Sequence, residues 1–185
     1  EVYCKIIYES KHESMASMPS MKEKTILMDG FSKTYAMTGW RLGYAAMRKD
    51  LAQKITQLMI NSNSCTCAFT QMAGIEALKG PQDGSKKMVD EFKRRREVIV
   101  YGLNKIQGIT CKKPRGAFYV FPNVKGVGMD CRKLSDYSLN KAGVAVLSGT
   151  AFGRYGEGYL RLSFANSVEN IEKAMKRISG ALKEL

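Results

Sequence analysis

Short apolar runs bounded by polar residues or glycine recur through the first half of the chain. Residues 2–8 alternate in the manner of a strand, and residues 25–28 and 42–47 are largely apolar. Runs of this length between turn residues are typical of strands buried on both faces, as in a parallel sheet. We therefore predict three strands before residue 50, two of them fully buried.

Apolar residues spaced three and four apart predict three helices over residues 50–106. Asp50 can cap the first helix, and the polar residues 61–64 break it. The second is expected over residues 66–78, before the Gly-Pro pair at 80–81. The third is the longest, with arginines in a gap of its apolar stripe around residue 95. Its predicted buried positions are Met88, Phe92, Ile99, Leu103 and Ile106.

The pattern changes in the second half of the chain. Strand-like runs cover residues 109–111, 117–121, 144–147 and 158–164, and residues 130–142 have helical spacing. A final helix follows Ser167, a good N-cap residue. This pattern predicts a small α+β unit. We place the division near Ser85, giving domains of residues 1–84 and 85–185, with the long helix bridging them.

The charge of the chain raises the possibility of nucleic-acid binding. The formal net charge is +13, and residues 93–96 form the densest basic run. That run lies in a helical pattern, so its side chains point in different directions, and no aromatic residues are interleaved with it. A nucleic-acid partner is therefore disfavoured. No apolar run approaches the roughly 20 residues of a membrane span, so no membrane association is expected either.

The cysteines indicate a reducing compartment. The chain has five, an odd number without regular spacing, which argues against a disulfide framework. We therefore expect a cytoplasmic protein. Because the chain has only one histidine, His12, and its C-x-C sequence lacks zinc-ligand spacing, no metal site is predicted.

One stretch, residues 29–44, could carry chemistry. Lys33 follows a predicted strand end, and Arg41 lies eight residues later, with glycines at 30, 39 and 43. In open α/β sheets, ligands bind at strand ends of this kind. The lysine amine could act as a nucleophile, and the guanidinium could hold an anion. The alternative is that both are ordinary solvated surface charges.

The amino-acid sequence of this stretch resembles that of a known family. Residues 32–43 are similar to the pyridoxal-phosphate lysine signature of the class I/II aminotransferases, in particular the prokaryotic aspartate aminotransferase subgroup. Residues 114–119 and 156–163 resemble later motifs of that family, in the same order. The resemblance implies the C-terminal half of a fold type I α/β protein. That half would contain the end of the mixed, mostly parallel sheet of the large cofactor domain and an α+β small domain. It also implies a homodimer.

The resemblance assigns four roles by matching positions. Lys33 corresponds to the catalytic lysine, which bonds to the cofactor aldehyde and moves a proton at the substrate Cα. Arg41 corresponds to the arginine that grips the cofactor phosphate. Tyr3 matches the tyrosine that binds the cofactor's phenolic oxygen, and Arg161 matches the arginine that holds the substrate α-carboxylate.

Several positions depart from the family pattern. The aspartate that pairs with the pyridine nitrogen would lie one residue before Glu1. Gly30 stands where many relatives have a phosphate-binding serine, and Ser32 is one candidate to compensate. Ser64 lies where relatives have a polar loop that reaches toward the partner subunit. We expect these 185 residues alone to hold the cofactor poorly and to show negligible turnover.

The leading hypothesis is transamination between an amino acid, best matched by aspartate, and the 2-oxo acid 2-oxoglutarate, with pyridoxal 5'-phosphate as cofactor. A lyase or decarboxylase of the same fold is the second hypothesis, because the lysine motif is shared. A small basic nucleic-acid-binding module is the third, and it rests on charge alone.

Overall fold

A computed structural model describes all residues from 1 to 185. The chain divides into two compact units, Glu1–Val89 and Asp90–Leu185. The division lies inside the longest helix, α4, which spans Asp83–Asn104. That the two parts are a large cofactor domain and a small domain stays a prediction. None of the helices combines the length and the apolarity that crossing a membrane would require.

The strands of the first unit form a hairpin. Strand β1, Leu27–Gly30, pairs antiparallel with β2, Gly43–Ala46, so that Gly30 lies opposite Gly43 and Leu27 opposite Ala46. All of β2 is exposed. The expectation of parallel strands buried on both faces is therefore wrong within this unit. The connection of residues 31–42 returns the chain beside the strand it left, whereas a parallel pair needs a crossover.

The predicted first strand, residues 2–8, is also wrong. Residues 2–5 form turns, in which the Cys4 amide donates to the Glu1 carbonyl at 2.8 Å and the Ile6 amide to the Tyr3 carbonyl at 2.9 Å. These local bonds satisfy backbone groups that a strand would pair with a neighbour. Ile6 is fully buried and anchors the segment.

Three further helices complete the first unit. They are the short α1, Phe31–Thr34, then α2, Lys49–Asn63, and α3, Ala68–Lys79. Asp50 lies in the first turn of α2 and is not its cap, and the helix continues through the predicted break to Asn63. No residue of α2 is buried.

The buried part of α4 in the second unit contains a charge that the sequence pattern did not reveal. Phe92, Ile99 and Leu103 are buried as predicted, and Arg96 is also fully buried. Its guanidinium donates to the Pro114 carbonyl and to the Glu97 carboxylate, both at 2.8 Å. Burying a guanidinium is tolerable only with such partners.

The other arginines of this run are held by one carboxylate. Glu91 accepts hydrogen bonds from the Nε atoms of Arg94 and Arg95, both at 2.8 Å. With Arg96 buried, residues 93–96 do not form a continuous basic surface for nucleic acid.

A small antiparallel sheet lies at the centre of the second unit. Its strands are β3, Tyr119–Val120, β4, Leu147–Ser148, and β5, Leu160–Ser163, in the order β3-β5-β4. These strands are shorter than predicted, and residues 109–111 contribute only an isolated bridge from Thr110 to Asn123. Leu160 and Leu162 are buried on one face of β5, which places Arg161 on the other face.

Two helices lie where the sequence predicts them. Helix α5, Cys131–Tyr137, is capped by Asp130, continues as a π-helix over Ser138–Ala142 and ends at Gly143 with φ of +63°. Helix α6, Val168–Leu182, begins after Ser167, whose hydroxyl accepts a bond from the Asn170 amide. The buried residues of α6 are spaced three and four apart: Ile171, Met175, Ile178 and Ala181.

Candidate functional site

The hairpin of the first unit brings Lys33 and Arg41 into one closed connection. Because Gly30 and Gly43 are paired, residues 31–42 leave and re-enter the same end of the β1-β2 ribbon. The Phe31 amide donates to the Leu42 carbonyl at 3.2 Å, which closes the base of the connection. Both cationic residues therefore lie at a strand end, as the sequence predicted for Lys33.

Buried neighbours fix the position of Lys33. It lies in α1, is half-buried, and is flanked by Phe31 and Thr34, whose side chains are 4% exposed. The Ser85 hydroxyl donates to the Thr34 carbonyl at 2.8 Å. The buried side chains of Phe31 and Thr34 and the hydrogen bond from Ser85 therefore hold the turn that carries Lys33. This preorganises the backbone of the lysine.

Gly74 of α3 packs directly against this connection. A Cβ added to Gly74 would lie 2.4 Å from Leu42 Cδ2 and 3.4 Å from the Phe31 ring. Only a residue without a side chain lets α3 approach so closely. The helix therefore supports the turn that carries Lys33.

Arg41 adopts a strained backbone conformation. Its φ and ψ of 53° and 45° lie in the left-handed region, which is uncommon for a residue with a side chain. The exposed guanidinium donates to the Thr38 carbonyl at 2.8 Å through one nitrogen. A fixed backbone and one internal bond leave the rest of the guanidinium available to an anion.

Arg41 and Ser64 line the same cleft, which has a volume of about 870 Å³. Thr66 and Thr70 add hydroxyl groups, and Trp40 and Phe69 add aromatic walls whose centroids are 6.5 Å apart. Lys33 and Ser32 are not among the lining residues, and both are half-buried in α1. Tyr3 is half-buried in the turn that begins the chain. The cleft therefore unites two of the predicted positions.

Sequence reasoning missed a cluster of hydrogen-bonding groups around the Asp29 carboxylate, beside this connection. The Tyr44 hydroxyl donates to Asp29 Oδ2 at 3.0 Å, and the Cys4 thiol lies 3.8 Å from the same oxygen. The Gly30 amide donates to Asp29 Oδ1 at 2.7 Å. Desolvation and the bond to Asp29 raise the pKa of Tyr44 to about 12. Burial, with the Asp29 charge second, raises the pKa of Cys4.

The signal for part of this cluster is the strand register. Asp29 and Tyr44 are direct cross-strand partners, so both ends of the candidate stretch meet in space. The prediction of parallel strands concealed this pairing. The contribution of Cys4 depends on the turn at residues 2–5, which the strand prediction also excluded.

Arg161 belongs to the second unit, on β5 opposite Leu147 of β4. Its guanidinium carbon lies 4.6 Å from the centroid of the Tyr119 ring and 4.5 Å from that of Phe152. The side chain forms no hydrogen bond or ion pair within the chain. A half-buried guanidinium with free N–H groups can bind an external carboxylate through two parallel bonds.

Comparison with known proteins identifies the family. The family described as aminotransferase class I and II matches residues 1–178. This chain therefore belongs to that family, as the motifs predicted. Structural similarity places it among the fold type I aminotransferases, which confirms the predicted fold class.

Individual relatives carry two different substrate names. The chain is 45% identical to an aspartate aminotransferase of Pyrococcus horikoshii, over 98% of this chain and 47% of the relative. It is 40% identical to aromatic-amino-acid aminotransferase 2 of Thermococcus litoralis, over 100% of this chain and 48% of the relative. The crystal structure of an aromatic aminotransferase from P. horikoshii superposes with a TM-score of 0.96 at 41% identity, over 100% of this chain and 50% of that one. The chain thus spans about half the length of these relatives.

Proposed function

We propose that the full-length protein is a pyridoxal-phosphate-dependent aminotransferase, with aspartate and 2-oxoglutarate as its substrate pair. The observation that carries the proposal is the closed connection of the β1-β2 hairpin, which holds Lys33 on a supported turn and Arg41 on a fixed backbone. Family membership supports the reaction class. The aspartate aminotransferase of P. horikoshii supports the choice of amino acid.

The residues of the first unit suit the proposed cofactor. The Arg41 guanidinium and the hydroxyls of Ser64 and Thr66 border one cleft and are all donors suited to a phosphate group. Ser32 and Tyr3 would add hydroxyl groups near Lys33. When bound, the cofactor would supply an aldehyde that carries the amino group and a ring that withdraws electrons.

Lys33 would be the only covalent anchor and the proton carrier. Its amine would hold the cofactor through the cofactor's aldehyde. The same amine would act as the general base toward the proton on the substrate Cα. The buried neighbours Phe31 and Thr34 hold the lysine backbone in place.

Arg161 would bind the carboxylate shared by all amino-acid and 2-oxo-acid substrates. The support is its free N–H edge, because no carboxylate of the chain occupies it. Two parallel N–H···O bonds would orient the substrate as well as hold it.

The family also supports proposals about assembly and location. We propose a homodimer, with Ser64 directed toward the partner subunit's cofactor. The first unit would be part of the large domain and the second unit the small domain. The cysteines, all free thiols, support a cytoplasmic location.

The experiment that tests the function uses the full-length protein. Lys33→Ala should abolish the visible absorption band of bound cofactor and lower kcat by at least about a thousandfold, because both the covalent anchor and the base are lost. Lys54→Ala, on the exposed α2, is the matched control and should retain both. A Lys33→Ala protein that kept the band and full activity would contradict the assignment.

Product analysis separates transamination from the lyase and decarboxylase alternatives. With aspartate and 2-oxoglutarate, transfer forms one glutamate for each aspartate consumed. Release of ammonia or carbon dioxide without glutamate would show a different reaction. A parallel assay with an aromatic amino acid tests the substrate choice.

A further inference from the structure

The Arg161 guanidinium contacts two aromatic rings that belong to two different elements. Tyr119 lies on β3, on one side of β5, and Phe152 follows β4, on the other side. Tyr119 pairs with Ser163, two residues from Arg161, so the two side chains share one face of the sheet. The two rings therefore come from the segments that carry β3 and β4, the strands that flank β5.

The backbone of the turn that carries Phe152 is closely packed. Phe152 ends the 3-10 turn Gly149–Phe152, which Ser148 caps by accepting from the Thr150 amide. The Gly149 amide donates to the Tyr159 carbonyl at 2.8 Å. A Cβ on Gly149 would lie only 2.1 Å from the Gly156 carbonyl oxygen, so the two loop segments touch through bare backbone.

A chain of polar side-chain contacts also stabilises this turn. The Ser148 hydroxyl lies 2.7 Å from Thr150 Oγ1 and 3.1 Å from the Cys131 thiol, and that thiol donates to Glu157 Oε2 at 3.3 Å. Cys131 is fully buried. The Phe152 ring is 52% exposed, although its backbone is fixed in this way. The exposed ring of Phe152 is thus carried by a well-packed backbone beside Arg161.

We propose that Tyr119 and Phe152 are positioning residues that clamp the two faces of the Arg161 guanidinium, so that only its N–H edge meets the substrate carboxylate. The inference rests on the proposed function, because it takes the α-carboxylate of an amino or oxo acid as the ligand. Cation–π attraction to both rings holds the guanidinium plane. A preorganised fork binds the carboxylate with less loss of side-chain freedom.

The test measures substrate binding in the full-length enzyme. Phe152→Leu should raise KM for both the amino and the oxo acid by about threefold to thirtyfold, with a smaller change in kcat. Phe152→Trp restores an aromatic face and should return KM toward the original value. Tyr119→Leu removes the other ring and should act in the same direction.

A matched control removes a ring from a different arginine. Tyr155 stacks on Arg154 at 4.8 Å and is 84% exposed, so Tyr155→Leu should leave KM unchanged. A readout independent of turnover is calorimetric binding of succinate, an unreactive dicarboxylate. Its Kd should rise with Phe152→Leu by the same factor as KM.

Arg161→Leu separates failure of the clamp from failure of the proposed function. If Arg161→Leu abolishes succinate binding while Phe152→Leu and Tyr119→Leu bind as the unchanged protein does, the clamp is overturned and the role of Arg161 stands. If Arg161→Leu also binds normally, the proposed carboxylate site itself is wrong. Because Phe152 is half exposed, Phe152→Leu should keep the melting temperature of the parent protein. Weakened binding that Phe152→Trp fails to restore would also overturn the clamp.

Discussion

The two units of this chain differ in how they treat their apolar residues. The second unit buries 21 hydrophobic residues around its sheet and helices, whereas the first buries only Ile6, Phe31 and Met37. Helix α2 buries none, and Phe69 and Met72 of α3 are 71% and 66% exposed. Apolar surface of this extent is usually covered by other protein. The unit with the candidate catalytic lysine is therefore the one that leaves more of its apolar surface exposed.

The contrast shows that the candidate catalytic lysine and most of the buried core lie in different units. The first unit holds Lys33 through a few local contacts around Phe31, Thr34 and Gly74. The second unit holds Arg161 on a sheet with a complete core.

The largest expected effect comes from separating the two units. A segment of residues 83–185, which keeps all of α4, should fold with a cooperative thermal transition, because it retains the whole core of the second unit. A segment of residues 1–82 should lack such a transition, because it buries too little apolar surface to offset chain entropy. Circular dichroism melts measure both. Cooperative melting of residues 1–82 alone would contradict the contrast.

A smaller effect should follow from removing the buried charge of the second unit. Arg96→Ala should lower the free energy of unfolding of the chain by about 2–4 kcal/mol, because it leaves a cavity and removes the donor to the Pro114 carbonyl. Arg94→Ala, on the exposed face of the same helix, is the control and should change little. Urea denaturation measures both. Equal effects of the two variants would show that the burial of Arg96 does not matter for stability.

The smallest effects should appear in the free energy of unfolding at high and at low pH. In the first unit, desolvation and the bond to Asp29 raise the pKa of Tyr44 to about 12 from an ordinary 10.0, so they favour the protonated hydroxyl. Their contribution to stability is present below pH 10 and is lost as pH rises through 12. In the second unit, the bonds from Arg94 and Arg95 lower the pKa of Glu91 from 4.5 to about 2. Its contribution is present above pH 4.5 and is lost as pH falls toward 2.

Unfolding measured against pH in the whole chain tests this pair. Tyr44→Phe should remove part of the alkaline dependence and leave the acid side unchanged, and Glu91→Gln should do the reverse. If either substitution changed the acid and the alkaline dependence of stability equally, the assignment of the two pH responses to separate units would be wrong.

Much of the local structure was predictable from the sequence. The helical spacing of residues 130–142 predicted α5 with its π-helical continuation, and the N-cap signal at Ser167 predicted the start of α6. The position of Lys33 after a strand was also predictable. These features depend on hydrogen bonds and periodicity within a few residues, so a short window of sequence contains them.

Other features required partners distant in the sequence. The antiparallel pairing of β1 and β2 and the turns near Tyr3 overrode the strand patterns, because strand direction and pairing depend on which segments meet. The burial of Arg96 depends on the Pro114 carbonyl, eighteen residues away.

The sequence alone therefore determined the family, the candidate lysine, the range of α5 and the start of α6, because each depends on consecutive residues or on a short periodic pattern. Only the tertiary structure decided what surrounds the candidate groups. It placed the carboxylate of Asp29 against Tyr44 and Cys4, and it brought two aromatic rings onto Arg161. Such neighbours come from separate segments, and their contact energies depend on distances that no local pattern encodes.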